Sequence, residues 1–478
     1  MNATDLNIFL PEIALSLVAM AALMVGVFSK SRDATPLIYN TIIVTFVALA
    51  FWFAFRPNSA ESFNGMLNDD KFARYLKVLI SLSCAGVLLS SVRYLKRVRL
   101  FTMEFPVLVA LAAVGMMIMV AASNLMSLYI GLELQSLSLY VLAAYRRDNA
   151  RSSEAGMKYF VLGALSSGLF LFGAALVYGF SGSTDYAVIA STIGDAPNLG
   201  IVFGIAFLAA AIAFKISAAP FHMWTPDVYQ GAPTAVTSLF ATAPKVAAIG
   251  MLARLMYVGF ADAVAAWQQI LAVLALLSVF VGAIAAIGQT NIKRLLAYSS
   301  VLNMGFVLLA LSSGTVDGLN ATLIFLSIYV VMSLGAFAFV MSMEKDEREI
   351  VDIKDLGQLS SKAPLRAAGF AAIMFSMAGI PPLAGFIGKY VAIRAAVDGG
   401  LVWLAVAAVI ASVIGAYYYL RLIFMMYFGE EPTQDHDRVW TMGQNIVFGL
   451  SAILMFVWMA RLIFIESSSL AAAQSLIG

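Results

Sequence analysis

Long apolar runs separated by short polar breaks dominate this sequence of 478 residues. A membrane-spanning helix needs about 20 consecutive apolar residues, because lipid offers no partner to the backbone and each segment must satisfy its own hydrogen bonds. We count fourteen such runs and predict a span from each. The runs begin near residues 7, 37, 74, 104, 124, 155, 200, 233, 265, 292, 319, 365, 401 and 440.

The composition supports a membrane protein and excludes several other classes. Hydrophobic residues make up 62% of the chain and charged residues 12%, whereas a soluble protein carries about 25% charged residues. The alternating short strands of a membrane β-barrel are absent. A single cysteine, Cys84, rules out an internal disulfide, and two histidines are too few for a histidine-rich metal or haem site. We therefore predict an all-α polytopic membrane protein of about fourteen transmembrane helices.

The distribution of basic residues between the loops predicts the orientation. Cytoplasmic loops of membrane proteins carry an excess of lysine and arginine. If the N-terminus lies outside, the loops that lie inside include five that carry basic residues: KSRD (30–33), RYLKRVR (93–99), RRDNARSSEAGMK (146–158), QTNIKR (289–294) and the loop 344–366. The outside loops 181–198, 312–318 and 397–400 contain none, and the loop 56–73 is an exception. Both termini are predicted outside, which is the periplasm for a bacterial inner-membrane protein.

Two predicted spans are interrupted by proline. Span 7 breaks at AAPFHMWTP (218–226) and span 12 at SMAGIPPLAGF (376–386). Proline removes a helical hydrogen bond and clashes with the preceding turn. The breaks are five spans apart and so run in opposite directions, which is typical of inverted repeats with discontinuous helices at ion sites. The alternative is two incidental proline kinks.

We therefore predict a single membrane domain that contains two inverted five-helix repeats, spans 4–8 and 9–13. Spans 1–3 and span 14 flank them. The corresponding ranges are 1–100 for the first three spans, 101–260 for repeat one, 261–430 for repeat two and 431–478 for the final span.

Ionisable residues within the apolar runs are candidates for function. A charge at the bilayer centre costs about 2.5–3.5 kcal/mol on insertion scales. Glu133, Lys215, Lys245 and Lys389 lie inside spans 5, 7, 8 and 12. A lysine placed between an apolar environment and a nearby carboxylate can gain and lose a proton near neutral pH. We predict a proton relay through these four residues, the alternative being static ion pairs between helices.

Two more residues are candidates for the same relay. Lys158 begins span 6 at the inside edge, where it either joins the relay or only extends its ammonium group towards water. His222 lies just after the break in span 7. Its titration range suits proton transfer between Lys215 and Lys245, although a lone histidine beside aromatic residues can also serve as a hydrogen-bonding loop residue.

Structural roles are predicted for several other charged residues. Lys293 and Arg294 lie at an inside edge and are expected to reach towards water. Asp227 follows Pro226 and is expected to cap or turn the chain before span 8. Glu12 begins span 1, where an acidic residue suits the N-terminus of a helix.

Three motifs resemble a known family. They are FHMWTPDVYQGAPTAVTSLFATAPKVAA (221–248), KRLLAYSSVLNMGF (293–306) and GIPPLAGFIGKY (379–390). Together they resemble the signature of the proton-translocating, antiporter-like membrane subunits of respiratory complex I. The form TPDVYxGAPT is typical of one subunit class, whereas other subunits and the Mrp antiporter subunits more often carry LPDAH followed by APT. The resemblance covers essentially the full length.

The resemblance implies a role for each matching residue. Glu133 matches a glutamate that pairs with the lysine of span 7, here Lys215, and Lys158 matches a lysine near that glutamate. Lys245 matches a lysine that links two half-channels. Lys389 matches the residue at the exit half-channel.

The resemblance also implies partners and a reaction. The chain would be a proton-translocating membrane-arm subunit of bacterial NADH–quinone oxidoreductase, beside other membrane subunits in the lipid bilayer. Electron transfer would occur in other subunits, so no cofactor, metal or nucleic acid is expected on this chain, and internal water would carry protons between its residues. The alternatives are a subunit of an Mrp-type cation/proton antiporter, a subunit of an energy-converting hydrogenase, or a structural scaffold with inert charge pairs.

Overall fold

The computed structural model describes residues 3–29, 34–56, 60–193, 198–345, 348–431, 440–457 and 465–477. These residues form twenty-one α-helices and two short antiparallel hairpins. The helices of the first half are α1 (Ala3–Ile8), α2 (Leu10–Phe28), α3 (Ala34–Phe55), α4 (Lys71–Arg97), α5 (Glu104–Ala121), α6 (Leu125–Ala143), α7 (Ala150–Ser181), α8 (Tyr186–Ile193), α9 (Leu199–Ile216), α10 (Trp224–Gly231), α11 (Thr234–Phe240) and α12 (Ala243–Arg254). Those of the second half are α13 (Val264–Ala285), α14 (Ile292–Leu311), α15 (Val316–Val340), α16 (Leu359–Lys362), α17 (Pro364–Ala378), α18 (Ala384–Asp398), α19 (Val402–Phe428), α20 (Met442–Val457) and α21 (Ile465–Ile477). The hairpins pair β1 (Ala60–Ser62) with β2 (Leu67–Asp69) and β3 (Glu344–Lys345) with β4 (Arg348–Glu349).

The predicted spans all have helical counterparts. Within the described residues, twelve helical segments are long and apolar enough to cross a membrane, and they match predicted spans 1–11 and 13. Predicted spans 12 and 14 correspond to the shorter apolar helices α17 and α20. Large apolar side chains such as Phe28, Phe55 and Val413 remain exposed on the outer surface, as expected where lipid replaces water. The prediction of an all-α polytopic membrane protein is confirmed.

Both predicted helix interruptions are present. Span 7 consists of α9 and α10, and span 12 consists of α17 and α18. Ser217 follows α9 with a φ of 63°, and Gly379 follows α17 with a φ of 84°. A residue in this left-handed conformation ends a helix because it turns the chain away from the helix axis.

A third interruption, in span 8, was not predicted. It separates α11 from α12 at residues 241–242. Pro244 lies in the first turn of α12 and has no N–H to donate to the carbonyl of Phe240, so one helix cannot continue through this point. The predicted breaks in spans 7 and 12 are present, and the break in span 8 adds a third that the sequence did not indicate.

Contacts between helix ends define two faces of the bundle. At what we term the N-terminal face, α21 packs on α4 and α15: the backbone N–H of Phe72 donates to Ser475 at 3.1 Å, and Ser469 donates to Asn320 at 2.7 Å. At the opposite face, the N–H of Thr234 donates to Tyr94 at 2.9 Å. The basic loops at 93–99, 146–158 and 289–294 lie at the opposite face.

Two matching residue pairs, which we term clasps, support the predicted inverted repeats. Asn124 caps α6 with its side chain and pairs with Asp185 in an isolated bridge, and Asn291 caps α14 and pairs with Asp352 in the same way. In both clasps the two residues are 61 positions apart, and the second clasp follows the first by 167 positions. The first clasp lies at the N-terminal face and the second at the opposite face, as inverted repeats require.

Close helix packing recurs with the same offset. A Cβ atom on Gly115 of α5 would lie 2.5 Å from the backbone nitrogen of Gln135 in α6, and one on Gly282 of α13 would collide with the backbone of Leu302 in α14. Small residues allow such close approach between membrane helices. Gly282 follows Gly115 by 167 positions, so helix packing and clasps share one internal spacing.

Buried ion pairs near the N-terminal face join the flanking spans to each other and to repeat one. Lys77 of α4 lies 2.6 Å from Glu12 of α2 and 3.6 Å from Asp69. Asp70, which caps α4, lies 2.8 Å from Arg254 of α12. Glu12 is thus the partner of a buried lysine, and the expectation that it acts only as a helix-terminal acid was incomplete.

We expect Lys77→Met to destabilise the protein by about 3–5 kcal/mol, because Glu12 would remain buried without its cation. The double variant Glu12→Gln/Lys77→Met should recover part of this loss, since it removes the uncompensated charge. Thermal unfolding of the detergent-solubilised protein measures both. Equal losses in the single and the double variant would contradict a stabilising role for this pair.

Candidate functional site

Lys215 occupies the last turn of α9, directly before the break in span 7. Its side chain is 4% exposed. Its Nζ atom donates to Ser136 Oγ at 2.8 Å and to the Tyr140 hydroxyl at 3.4 Å, both on α6. The ammonium group also lies over the rings of Tyr140 and Phe214. A charge at membrane depth is thus held by hydroxyl groups and aromatic faces.

Glu133 lies one turn before Ser136 on the same face of α6, and Ser167 of α7 donates a hydrogen bond to its carboxylate. The described residues contain no direct ion pair between Glu133 and Lys215. Instead, Lys215 donates to Ser136, and Glu133 accepts from Ser167. Glu133 and the two residues that Lys215 contacts therefore lie on one face of α6, but Glu133 and Lys215 do not form an ion pair.

Lys245 lies in the first turn of α12, just after the unpredicted break. Its Nζ atom donates to the carbonyl oxygen of Ile216 and to Ser217 Oγ, both at 3.0 Å. Those two residues form the broken end of α9. The carbonyl groups at a helix C-terminus lack partners within the helix and carry partial negative charge. The end of α9 is thus a binding site for the Lys245 ammonium group.

Lys389 makes the equivalent contact in repeat two. Its Nζ atom donates at 2.9 Å to the carbonyl oxygen of Ala378, the last residue of α17. It also donates to Ser412 Oγ of α19 at 3.0 Å and lies over the ring of Phe306. The ends of α9 and α17 therefore each present a C-terminal carbonyl to a buried lysine. In repeat one the lysine comes from the next span, and in repeat two from the second half of the same span.

The three interior lysines differ from the other buried charges. Within the described residues, Lys215, Lys245 and Lys389 have no carboxylate within ion-pair distance. Buried basic residues near the two faces are paired with acids, as Lys77 is with Glu12 and Arg254 is with Asp70. The alternative of static ion pairs does not describe these lysines in the structure.

Lys158 lies at the rim of the opposite face, away from Glu133. Its Nζ atom is 2.7 Å from Glu154 and 2.8 Å from Asp227. Nine residues of α7 separate Lys158 from Ser167, which corresponds to about 13 Å along the helix. The structure therefore does not bring Lys158 next to Glu133, the position that the resemblance implied.

Three residues at this rim have other partners than predicted. Asp227 lies within α10 and also binds Arg294 at 2.6 Å, so it joins three helices rather than capping span 8. Lys293 is 2% exposed and donates to the carbonyl of Ala232 at 2.7 Å. The expectation that Lys293 and Arg294 simply reach into water was wrong, because acidic and carbonyl groups of neighbouring elements lie within reach.

His222 lies beside α14 rather than between the two lysines. Its ring centre is 6.3 Å from that of Tyr298. Lys245 reaches the end of α9 directly, and no hydrogen bond in the described part of the chain joins His222 to Lys215 or Lys245. The histidine thus faces from repeat one towards repeat two.

A polar cluster next to Tyr298 was not predicted. Ser299 and the hydroxyl of Tyr419 are 2.5 Å apart, and the Asn303 amide donates to that hydroxyl at 3.3 Å. Tyr419 is two helical turns from Ser412, the partner of Lys389, on the same face of α19. The signal for this cluster was the sequence AYSSVLN (297–303), in which polar residues interrupt an apolar run.

The described residues contain no group of three or more histidine, cysteine, aspartate or glutamate side chains that could hold a metal ion. The interior chemistry consists of ammonium, hydroxyl, amide, imidazole and carboxylate groups. Such groups exchange protons along hydrogen-bonded chains.

Comparison with known proteins supports one family over the full chain. Residues 122–415 match the family described as NADH:quinone oxidoreductase/Mrp antiporter, TM. The NADH-quinone oxidoreductase subunit N of Jannaschia sp. (strain CCS1) is 53% identical over 461 residues, which cover 96% of this chain and 95% of that protein. Subunit N of Rhodobacter capsulatus is 48% identical, with 100% of both chains covered.

A solved structure shows the same fold. A chain of respiratory complex I from Thermus thermophilus with bound Aureothin superposes with a TM-score of 0.80 at 31% identity, covering 95% of this chain and 98% of that one. The chain belongs to the NADH:quinone oxidoreductase/Mrp antiporter family of membrane proteins and, within it, to the NADH-quinone oxidoreductase subunit N group.

Proposed function

We propose that the chain is a membrane-arm subunit of a bacterial NADH–quinone oxidoreductase that moves protons across the membrane. Electron transfer in other subunits, which hold the redox cofactors, drives this movement. The names of the relatives that match over the full length support this assignment over an Mrp-type antiporter or a hydrogenase subunit. Neighbouring membrane subunits, the bilayer and internal water are the partners of the chain.

One observation carries the proposal: the three interior lysines have no acidic partner within the described residues. A structural charge gains little from a site in which no opposite charge stabilises it. Lys215, Lys245 and Lys389 instead contact hydroxyl and carbonyl oxygens. These contacts hold an ammonium group and leave it free to release its proton to water or to the next base.

The contacts suggest a route through both repeats. Glu133 and Lys215 begin it in repeat one, and Lys245 follows at the end of α9. His222 and the cluster at Ser299 carry the proton towards Lys389 in repeat two. Lys158 belongs to this route at the rim of the opposite face, where the acidic side chains of Glu154 and Asp227 lie beside it and attract protons.

The separation of Glu133 from Lys215 supplies a switch. A carboxylate close to an ammonium group favours its charged form. When Glu133 approaches Lys215, the lysine retains its proton, and when Ser136 and Ser167 hold the two groups apart, it can pass the proton towards Lys245. A small movement of α6 against α7 or α9 then changes where the proton resides.

We propose that the N-terminal face is periplasmic. The basic loops at the opposite face support this orientation, since such loops remain in the cytoplasm. Protons accordingly leave from Lys389 towards the N-terminal face, in the bacterial inner membrane.

Glu133→Ala and Lys215→Ala, made separately, should each lower proton pumping and quinone reduction together by about tenfold, because general acid–base groups contribute at least that much. Both rates are measured on the assembled complex in proteoliposomes. Lys362→Ala, at the opposite face and outside the route, is the control. If both variants assembled and retained full electron transfer and pumping, the relay would be wrong.

Lys245→Arg separates a mobile proton from a fixed charge. Arginine keeps the positive charge but does not release a proton at physiological pH. We expect pumping to fall about as far as in Lys245→Met, although the charge persists. Retained pumping in the arginine variant, with loss in the methionine variant, would show that only the charge matters.

Single introduced cysteines test the orientation, in a Cys84→Ser background. We expect a membrane-impermeant maleimide to label Ser191→Cys, at the N-terminal face, from the periplasm. Ser361→Cys, at the opposite face, should react only after the inner membrane is permeabilised. The reverse pattern would place the termini in the cytoplasm.

A further inference from the structure

A basic cavity of about 570 Å³ opens at the opposite face, between the end of α4, the start of α7, the start of α14 and the link from α10 to α11. Its size suits a small ligand or a head group. Five basic side chains and a single acidic one line it: Arg97, Arg99, Arg146, Arg151, Lys293 and Glu349. The cavity therefore attracts anions.

Three of the cavity's arginines have no acidic partner in the part of the chain that the structure describes. Arg97 pairs with Glu344, and Lys293 lies 3.6 Å from Glu349. Within the described residues, no ion pair involves Arg99, Arg146 or Arg151. Three guanidinium groups at one cavity are thus available to a ligand. Guanidinium groups bind phosphate oxygens in a two-pronged geometry.

The backbone around the cavity adds positive potential. Asn149 and Asn291, which cap the N-termini of α7 and α14, both line it. The N-terminus of a long helix carries partial positive charge. Arg99 also has a φ of 58°, in the left-handed region that residues other than glycine rarely adopt. This conformation places an arginine at the edge of the cavity.

An apolar groove continues from this cavity. A second space of about 980 Å³ shares Val98, Arg99, Arg146 and Asn149 with the first. Its apolar wall consists of Leu23, Leu100, Val107, Leu108, Leu111 and Val141. Leu23 and Val141 are 38% and 54% exposed, so the groove reaches the outer surface of the bundle. Over both spaces, six basic and three acidic side chains line the wall.

We propose that this cavity and groove bind an anionic diacyl phospholipid from the leaflet on that side. Arg99, Arg146 and Arg151 bind the phosphate of the head group, and an acyl chain lies in the groove along α5 and α6. Basic pockets between membrane helices bind acidic head groups in this way. The apolar groove favours a lipid over free phosphate, which has no apolar part to bury. This site does not depend on proton translocation.

The test uses the purified complex with spin-labelled phosphatidylglycerol and phosphatidylcholine as probes. We expect Arg99→Gln/Arg146→Gln/Arg151→Gln to weaken phosphatidylglycerol binding by about 100-fold, since each basic residue near an anionic head group contributes about 1 kcal/mol. Lys96→Gln/Lys354→Gln/Lys362→Gln removes three charges from the same face but from neither cavity, and should leave binding unchanged. Equal binding by the arginine variant and the wild type would overturn the proposal.

A second variant tests the groove without changing charge. Val141→Trp fills it and should weaken phosphatidylglycerol binding, whereas Val409→Trp, exposed on α19, should not. The two tryptophan variants test the lipid proposal even if the arginine variant does not assemble. If millimolar inorganic phosphate displaced the labelled lipid and Val141→Trp had no effect, the cavity would be a free-anion site and the lipid proposal would be wrong.

Discussion

The interior of this protein depends on lysine ammonium groups bound to the C-terminal carbonyls of broken helices. A helix that ends inside a membrane leaves carbonyl groups that neither lipid nor the helix can satisfy. Lys245 binds the end of α9 and Lys389 binds the end of α17. At these two breaks the lysine satisfies the helix end, and the helix end satisfies the lysine. Loss of a proton from the lysine therefore changes the hydrogen bonding of the helix end, which links charge to helix geometry.

The remaining charges divide by depth and by partner. Near the two faces, buried cations such as Lys77 and Arg254 are paired with acids and connect separate helices. In the interior, the lysines contact neutral oxygens.

The two repeats share their clasps and their close glycine contacts. However, the 167-residue offset places Ser300 at the position that corresponds to Glu133. The framework is thus duplicated, whereas the position that is glutamate in repeat one is serine in repeat two.

Much of this organisation could be predicted, because apolar runs and prolines act locally. Run length predicted the fourteen spans, and Pro220 and Pro382 predicted two of the breaks. The third break, before Pro244, was missed since α11 and α12 together read as one apolar run. The partners of Lys158, Asp227 and the neighbouring basic residues were missed for another reason. The contacts of Asp227 with Lys158 and Arg294 each join residues more than 60 positions apart, and no local sequence pattern indicates such contacts.

The sequence by itself determined the membrane class, the spans, the two predicted breaks and the identity of the buried ionisable residues, because each follows from composition or from the chemistry of a single position. Only the tertiary structure decided which groups those residues contact. It joined Glu133 to Ser167 and Lys215 to Ser136, turned His222 towards Tyr298 and joined Lys245 to the end of α9. Distances between side chains on different helices depend on how the helices pack, and packing is a property of the whole chain.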